Sequence, residues 1–152
     1  MKIEAKLESM GYKVPEAPKP VAAYVPAVQA GNLIFTSGQL PTVNGELKAK
    51  GQVGGDVSVE TAYEAARYCA LNCLAVVKSL VGDLDRVKRI VKVVGFVNSA
   101  PGFNAQPKVV NGASEFLVEV FGDAGKHARS AVGAAGLPLD APVEVEMVVE
   151  VE

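Results

Sequence analysis

Apolar positions along this chain repeat with two periods, three to four residues in some stretches and two in others, and the switches between them divide it into elements. Ile3, Leu7 and Met10 recur at helical spacing, and Gly11 follows as a left-handed stop, which predicts a short N-terminal helix. Pro15, Pro18 and Pro20 then remove backbone donors, so the next stretch is expected to run extended across the surface as an arm. Residues 24–29 and 32–39 read as two strands joined around Ala30-Gly31. From 40 to 56 the pattern is loop-like, with Asn44-Gly45 and Gly54-Gly55 as turn signals.

Ser58 is a plausible N-cap for a long helix over 62–80. Ala62, Ala66, Cys69, Cys73, Val77 and Leu80 form its apolar stripe, and Gly82 stops it. Residues 89–98 are rich in β-branched side chains and read as a central strand. Pro107 suits the first turn of a second long helix, whose buried face would be Val109, Ala113, Phe116, Val120 and Phe121 before Gly122. Residues 129–135 form a candidate strand of small side chains. Over 143–151, Val143, Val145, Met147, Val149 and Val151 share one face of a last strand, and Glu144, Glu146 and Glu150 share the other.

This order predicts an α+β layer architecture: a sheet of about five strands with two long helices on one face. Residues 1–152 read as one domain, of which 1–22 form the N-terminal helix and proline-rich arm. The second face of such a sheet needs cover. Its glutamates either face water or line a crevice made with a neighbouring subunit.

Composition narrows the functional classes. With 49% hydrophobic and 21% charged residues and no Trp, the core must rest on Val, Ala, Leu and Ile. The formal charge of −2 argues against nonspecific nucleic-acid binding. The densest basic stretch, Lys88-Arg89-Ile90-Val91-Lys92, reads as a solvated edge or rim. Cys69 and Cys73 lie four apart on a helical stripe and read as buried structural thiols, since His127 is the only histidine and no metal partners accompany them. There is no apolar run long enough for a bilayer and no apolar signal-peptide core at the start, so cytoplasmic residence and no membrane association are expected.

Phosphate-loop, dinucleotide-fold and nucleophile-elbow motifs are missing, and one histidine leaves little scope for triads. What remains is C-terminal: Arg129-Ser130-Ala131-Val132, then Leu137-Pro138, then Val143-Glu144-Val145-Glu146. If the two strands pair as a hairpin, Arg129 and Glu144 come near each other. A guanidinium grips a carboxylate bidentately, and a carboxylate positions water or shuttles a proton. On the residues alone, the pair is either a structural salt bridge or a site. His127 reads as a surface or loop residue.

The Arg-Ser-x-Val, Leu-Pro and Val-Glu-Val-Glu segments resemble the C-terminal signature of the RidA/YjgF family. Tyr24 through the Gly31-Asn32 and Thr36-Ser37-Gly38-Gln39 segments resembles its N-terminal block. The resemblance spans about residues 24–152, and residues 1–22 look like the extension of a longer branch. It implies a chorismate-mutase-like fold, a homotrimer with three intersubunit clefts, and hydrolysis of enamines and imines such as 2-aminoacrylate to 2-oxo acids and ammonia, with no cofactor. Carried over by motif, Arg129 would bind the substrate carboxylate and Glu144 would orient or activate water. Tyr24 would close the cleft, Ser37 and Gly38 would offer backbone contacts, and Asn111 would join the site from the second long helix. Active members often carry cysteine two places after the arginine. Ala131 stands there in this chain, which excludes thiol chemistry. The alternatives are a non-catalytic trimeric module that binds small carboxylates or a partner protein and, against the acidic balance, an endoribonuclease.

Overall fold

The computed structural model describes residues 1–19 and 23–152; Pro20, expected in the arm, lies outside them. Three helices and a five-stranded mixed sheet form the frame. The helices are α1 (Lys2–Ser9), α2 (Val59–Val81) and α3 (Gln106–Phe121). The strands are β1 (Ala27–Ala30), β2 (Leu33–Thr36), β3 (Thr42–Val43), β4 (Glu46–Leu47), β5 (Val87–Asn98), β6 (Ala128–Ala134) and β7 (Val143–Val151). The sheet runs β1-β2-β7-β5-β6, antiparallel except for the β5–β6 pair, with α2 and α3 on one face.

The expected elements form for local reasons. The Ser58 hydroxyl accepts from the Thr61 amide at 3.1 Å and caps α2, and Gly82 at φ 81° ends it. On α2 the stripe is buried through Val77, but Leu80 is exposed because the last turn buries Val81 instead. On β7 burial alternates without a break from Val143 to Val151, so Val143, Val145, Met147, Val149 and Val151 face the helices.

Two expectations change. The first strand is shorter than 24–29, and Tyr24 lies outside it. The 40–56 segment is not all loop, because Asn44 (φ 53°) and Gly45 (φ 82°) close a two-residue turn between β3 and β4. The basic stretch at 88–92 is the expected solvated rim: β6 joins β5 only from Lys92 onward, and Lys88 and Arg89 are exposed where the ladder with β7 shifts register.

Small residues let α3 sit low on the sheet. A Cβ on Gly95 of β5 would lie 2.5 Å from the Val110 side chain, and one on Gly112 would lie 2.0 Å from the Tyr63 carbonyl oxygen of α2. These approaches bring the α3 residues between them over the β6 edge. The N-terminal segment packs on the outer side of the two helices. Tyr12 meets Phe116 edge-on at 5.1 Å and accepts from Arg67 Nε at 2.7 Å. Asp85 caps α1 by accepting from the Lys2 and Ile3 amides at 2.8 Å each; these backbone contacts, Ile3 first, hold its carboxyl down at about 2. Among the described residues no helix is long and apolar enough to cross a membrane.

The α2–α3 contact yields a test. Gly112→Ala is expected to destabilise the fold by at least about 2 kcal/mol, since backbone rather than a flexible side chain blocks the new methyl. Gly136→Ala, with open space around its Cβ, serves as the control and should leave the urea midpoint almost unchanged.

Candidate functional site

Arg129 leaves β6 on the helix side of the sheet, in register with Val93 of β5, which in turn faces Met147 of β7. Its NH1 donates to Asn111 Oδ1 at 2.8 Å and to Ser114 Oγ at 3.2 Å, both on α3. Those contacts occupy both NH1 hydrogens. Among the described residues nothing accepts from Nε or NH2, and no carboxylate lies within ion-pair distance of the guanidinium. The side-on fork, the geometry that grips a carboxylate bidentately, is therefore left open on a half-buried and doubly held cation.

Glu144 stands on the other face. It is opposite Phe96 of β5, three residues along β7 from Met147, and an odd step along a strand reverses the side chain. Its neighbour is Gly38, where a Cβ would come within 2.8 Å of the Glu144 Cδ. The approach is fixed by Gln39, which exchanges backbone hydrogen bonds with Val145 at 2.8 and 3.1 Å. Behind it, buried Asn72 of α2 donates to the Leu40 and Thr42 carbonyls at 2.9 and 3.1 Å and pins the following segment. Ser37 is tied down as well: its amide donates to the Pro26 carbonyl at 2.7 Å and its hydroxyl to the Val25 carbonyl at 2.9 Å, beside an exposed Tyr24. Partial burial, and then the charge of Glu146, raise the Glu144 carboxyl above its ordinary value.

The expected residues therefore form two groups. Arg129 and Asn111 meet at the β6 edge, while Tyr24, Ser37, Gly38 and Glu144 gather around the end of β2 and the start of β7. The hairpin expected to pair the Arg129 and Glu144 strands does not exist. β5 lies between them, which puts the two residues two strand spacings apart sideways, roughly 10 Å, and three residues apart along the strands, on opposite faces. An intrachain salt bridge between them is ruled out. The crossover from β5 through α3 explains it, since β6 returns parallel to β5 and takes the outer position.

Two members of the arginine group were missed in the sequence. Ser114 accepts from Arg129 and contacts His127 Nε2 at 2.9 Å; the ring's Nδ1 lies 2.6 Å from the Gly125 carbonyl. His127 is thus no free surface residue. The signal available was the three-residue step from Asn111 to Ser114, which sets both on one helix face. Among the described residues no group of three or more His, Cys, Asp or Glu side chains gathers as metal ligands do. A groove of about 1160 Å³ between the arm and α2, lined by Tyr12, Tyr68 and Asn72, contains neither group.

The family profile described as "YjgF/chorismate mutase-like, putative endoribonuclease" matches residues 4–151. The chain belongs to the YjgF/RidA family. It is 45% identical over 150 residues to Protein TCP17 of Trypanosoma cruzi, covering 98% of this chain and 94% of that one. A 2-iminobutanoate/2-iminopropanoate deaminase of Dermatophagoides farinae is 33% identical over 138 residues, 91% of this chain and 93% of that one. The crystal structure of Atu1372 from Agrobacterium tumefaciens, a protein with unknown function, superposes with a TM-score of 0.93 at 46% identity, covering 99% and 93% of the two chains. The YjgF/RidA fold, chorismate-mutase-like, is therefore the frame on which both groups stand.

Gly38→Ala separates the glutamate group from the fold. The new methyl meets only the flexible end of Glu144, so stability should change by less than about 1 kcal/mol. The Glu144 carboxyl must move, and its carbon-detected NMR titration should shift. Glu146→Gln should lower the Glu144 titration midpoint by removing the neighbouring negative charge. A raised carboxyl in the folded state adds stability below its unfolded value, and that contribution fades as pH rises through the folded value. The glutamine variant should therefore gain stability most at neutral pH, by a small amount because both carboxyls remain partly solvated.

Proposed function

We propose that this protein is a hydrolytic deaminase of small enamine and imine acids such as 2-aminoacrylate, working in clefts between copies of the chain. The observation that carries the reading is the open Nε–NH2 fork of Arg129, held by Asn111 and Ser114 without a carboxylate of its own. A fixed cation with an unfilled fork suits an anionic ligand, and the substrates of this reaction carry a carboxylate.

The chemistry asks little of the protein. An enamine tautomerises to an imine, water adds to the C=N carbon, and the resulting carbinolamine expels ammonia to leave a 2-oxo acid. Arg129 holds the carboxylate, and Glu144 orients the water and takes its proton, which then passes to the departing nitrogen. A carboxyl raised by burial and by Glu146 holds a proton more readily than a solvated one, which suits this shuttle. Tyr24 closes the cleft, and the backbone at Ser37 and Gly38 contacts the substrate.

Since Arg129 and Glu144 occupy opposite faces, one chain cannot present both to one substrate. The open sheet face supports assembly: Val28, Phe35 and Val132 are exposed there, next to partly covered Val94, Phe96 and Val148. A closed ring of three copies, each lending its arginine edge to the next chain's glutamate edge, covers this face and completes three clefts. The relative whose name specifies 2-imino acid deamination supports the reaction class.

In an assay where threonine dehydratase supplies the intermediate, adding the protein should speed release of 2-oxobutyrate. A non-catalytic binding module would leave that rate unchanged. Arg129→Ala should lose on the order of a hundredfold in kcat/KM, as expected for removing a charge-assisted bidentate contact. Its melting curve should stay near that of the native chain; full turnover by this variant would remove Arg129 from the site.

A further inference from the structure

Behind Arg129 lies a hydrogen-bond chain that substrate binding alone does not require. The Gly125 carbonyl only accepts, so the neutral His127 ring carries its proton on Nδ1 and presents Nε2 as an acceptor. The Ser114 hydroxyl donates to that Nε2, which turns its lone pairs toward Arg129 NH1. Every donor and acceptor in this line is thereby assigned one direction. Packing holds it together, because a Cβ on Gly125 would lie 2.2 Å from the Leu117 carbonyl oxygen of α3. The turn carrying the Gly125 carbonyl is pressed onto the helix that carries Ser114.

A serine inside a helix otherwise tends to bond the carbonyl one turn back. His127 removes that tendency by taking the hydroxyl proton. We propose that Ser114 and His127 are positioning residues, a Ser–His relay that fixes the Arg129 guanidinium and couples its hold on an anionic substrate to the protonation of His127. The inference rests on the assignment of Arg129 to carboxylate binding.

Protonation reverses one link. An imidazolium donates from Nε2, so Ser114 accepts from both His127 and Arg129, and two positive charges then back the anion site. Burial above all holds the imidazole below its ordinary value; the Gly125 contact opposes it, and the charge of Arg129 adds a smaller lowering. Few other charges reach the ring. Lys126 is drawn to Asp123 at 3.1 Å, and Glu115, next to Ser114 on α3, accepts from the Tyr63 hydroxyl at 2.9 Å. A carboxylate on the Arg129 fork offsets the repelling cation, so ligand binding should raise the His127 value. By linkage, affinity should rise by the same factor as pH falls through it.

His127 is the only histidine, so a ¹⁵N-histidine spectrum reports on it alone. The probe is pyruvate, titrated into the full chain between pH 5.5 and 8. The relay predicts the Nδ1–H tautomer at pH 8 and a titration midpoint that moves upward at saturating pyruvate. Ser114→Ala should weaken pyruvate binding about fivefold, roughly one neutral hydrogen bond, and abolish the midpoint shift, while Ser114→Thr restores both. His127→Gln should flatten the pH dependence of the affinity. If Arg129→Ala abolishes pyruvate binding but the His127 midpoint ignores pyruvate and Ser114→Ala binds normally, the relay is wrong and the arginine site stands. If Arg129→Ala binds pyruvate as the native chain does, the arginine assignment itself fails.

Discussion

Side-chain parity across three neighbouring strands governs this molecule. Arg129, Val93 and Met147 share a row and point toward the helices; Glu144, Phe96 and Val132 share another and point away. No rotamer change carries either functional group through the sheet. The guanidinium is confined to the edge beneath α3 and the glutamate to the uncovered face beside Gly38. The deaminase proposal starts from that separation, since it calls on a second copy to bring the two groups together.

Within that constraint each group is prepared locally. Glycine is what allows it: Gly95 and Gly112 lower α3 until Asn111 and Ser114 reach Arg129, and Gly38 admits the Glu144 side chain against the backbone. The two groups also differ electrostatically in useful ways. The arginine has its NH1 hydrogens engaged and its outer fork open, whereas the glutamate, partly desolvated beside Glu146, holds its proton more tightly than a solvated carboxyl. One group suits binding an anion and the other suits moving a proton.

Periodicity made most of the fold legible. The alternation of Val143 to Val151 named the buried face of β7 residue by residue, and Ser58, Gly82 and Gly122 marked helix ends through their capping chemistry. Strand order was not legible, because no local pattern in residues 129–135 says whether that strand pairs with the one after it or with β5. The Arg129–Glu144 hairpin expectation failed on that point. Asn111 was reached through resemblance, and the geometry supplies its reason in the bond to Arg129. Ser114 and His127 were passed over since each is unremarkable alone; only folding reveals a chain linking residues 13 positions apart. Leu80 fitted the helical stripe and still faces solvent, because the last turn of α2 buries Val81 in its place.

Subunit complementation tests the central claim most directly. Arg129→Ala and Glu144→Gln chains, each inactive alone, are unfolded together, refolded as mixed assemblies and assayed for 2-oxo acid release. If each cleft takes its arginine from one copy and its glutamate from the next, an equimolar random mixture should recover about one quarter of the native activity. Mixed assemblies that form yet remain as inactive as their parents would contradict a site shared between chains.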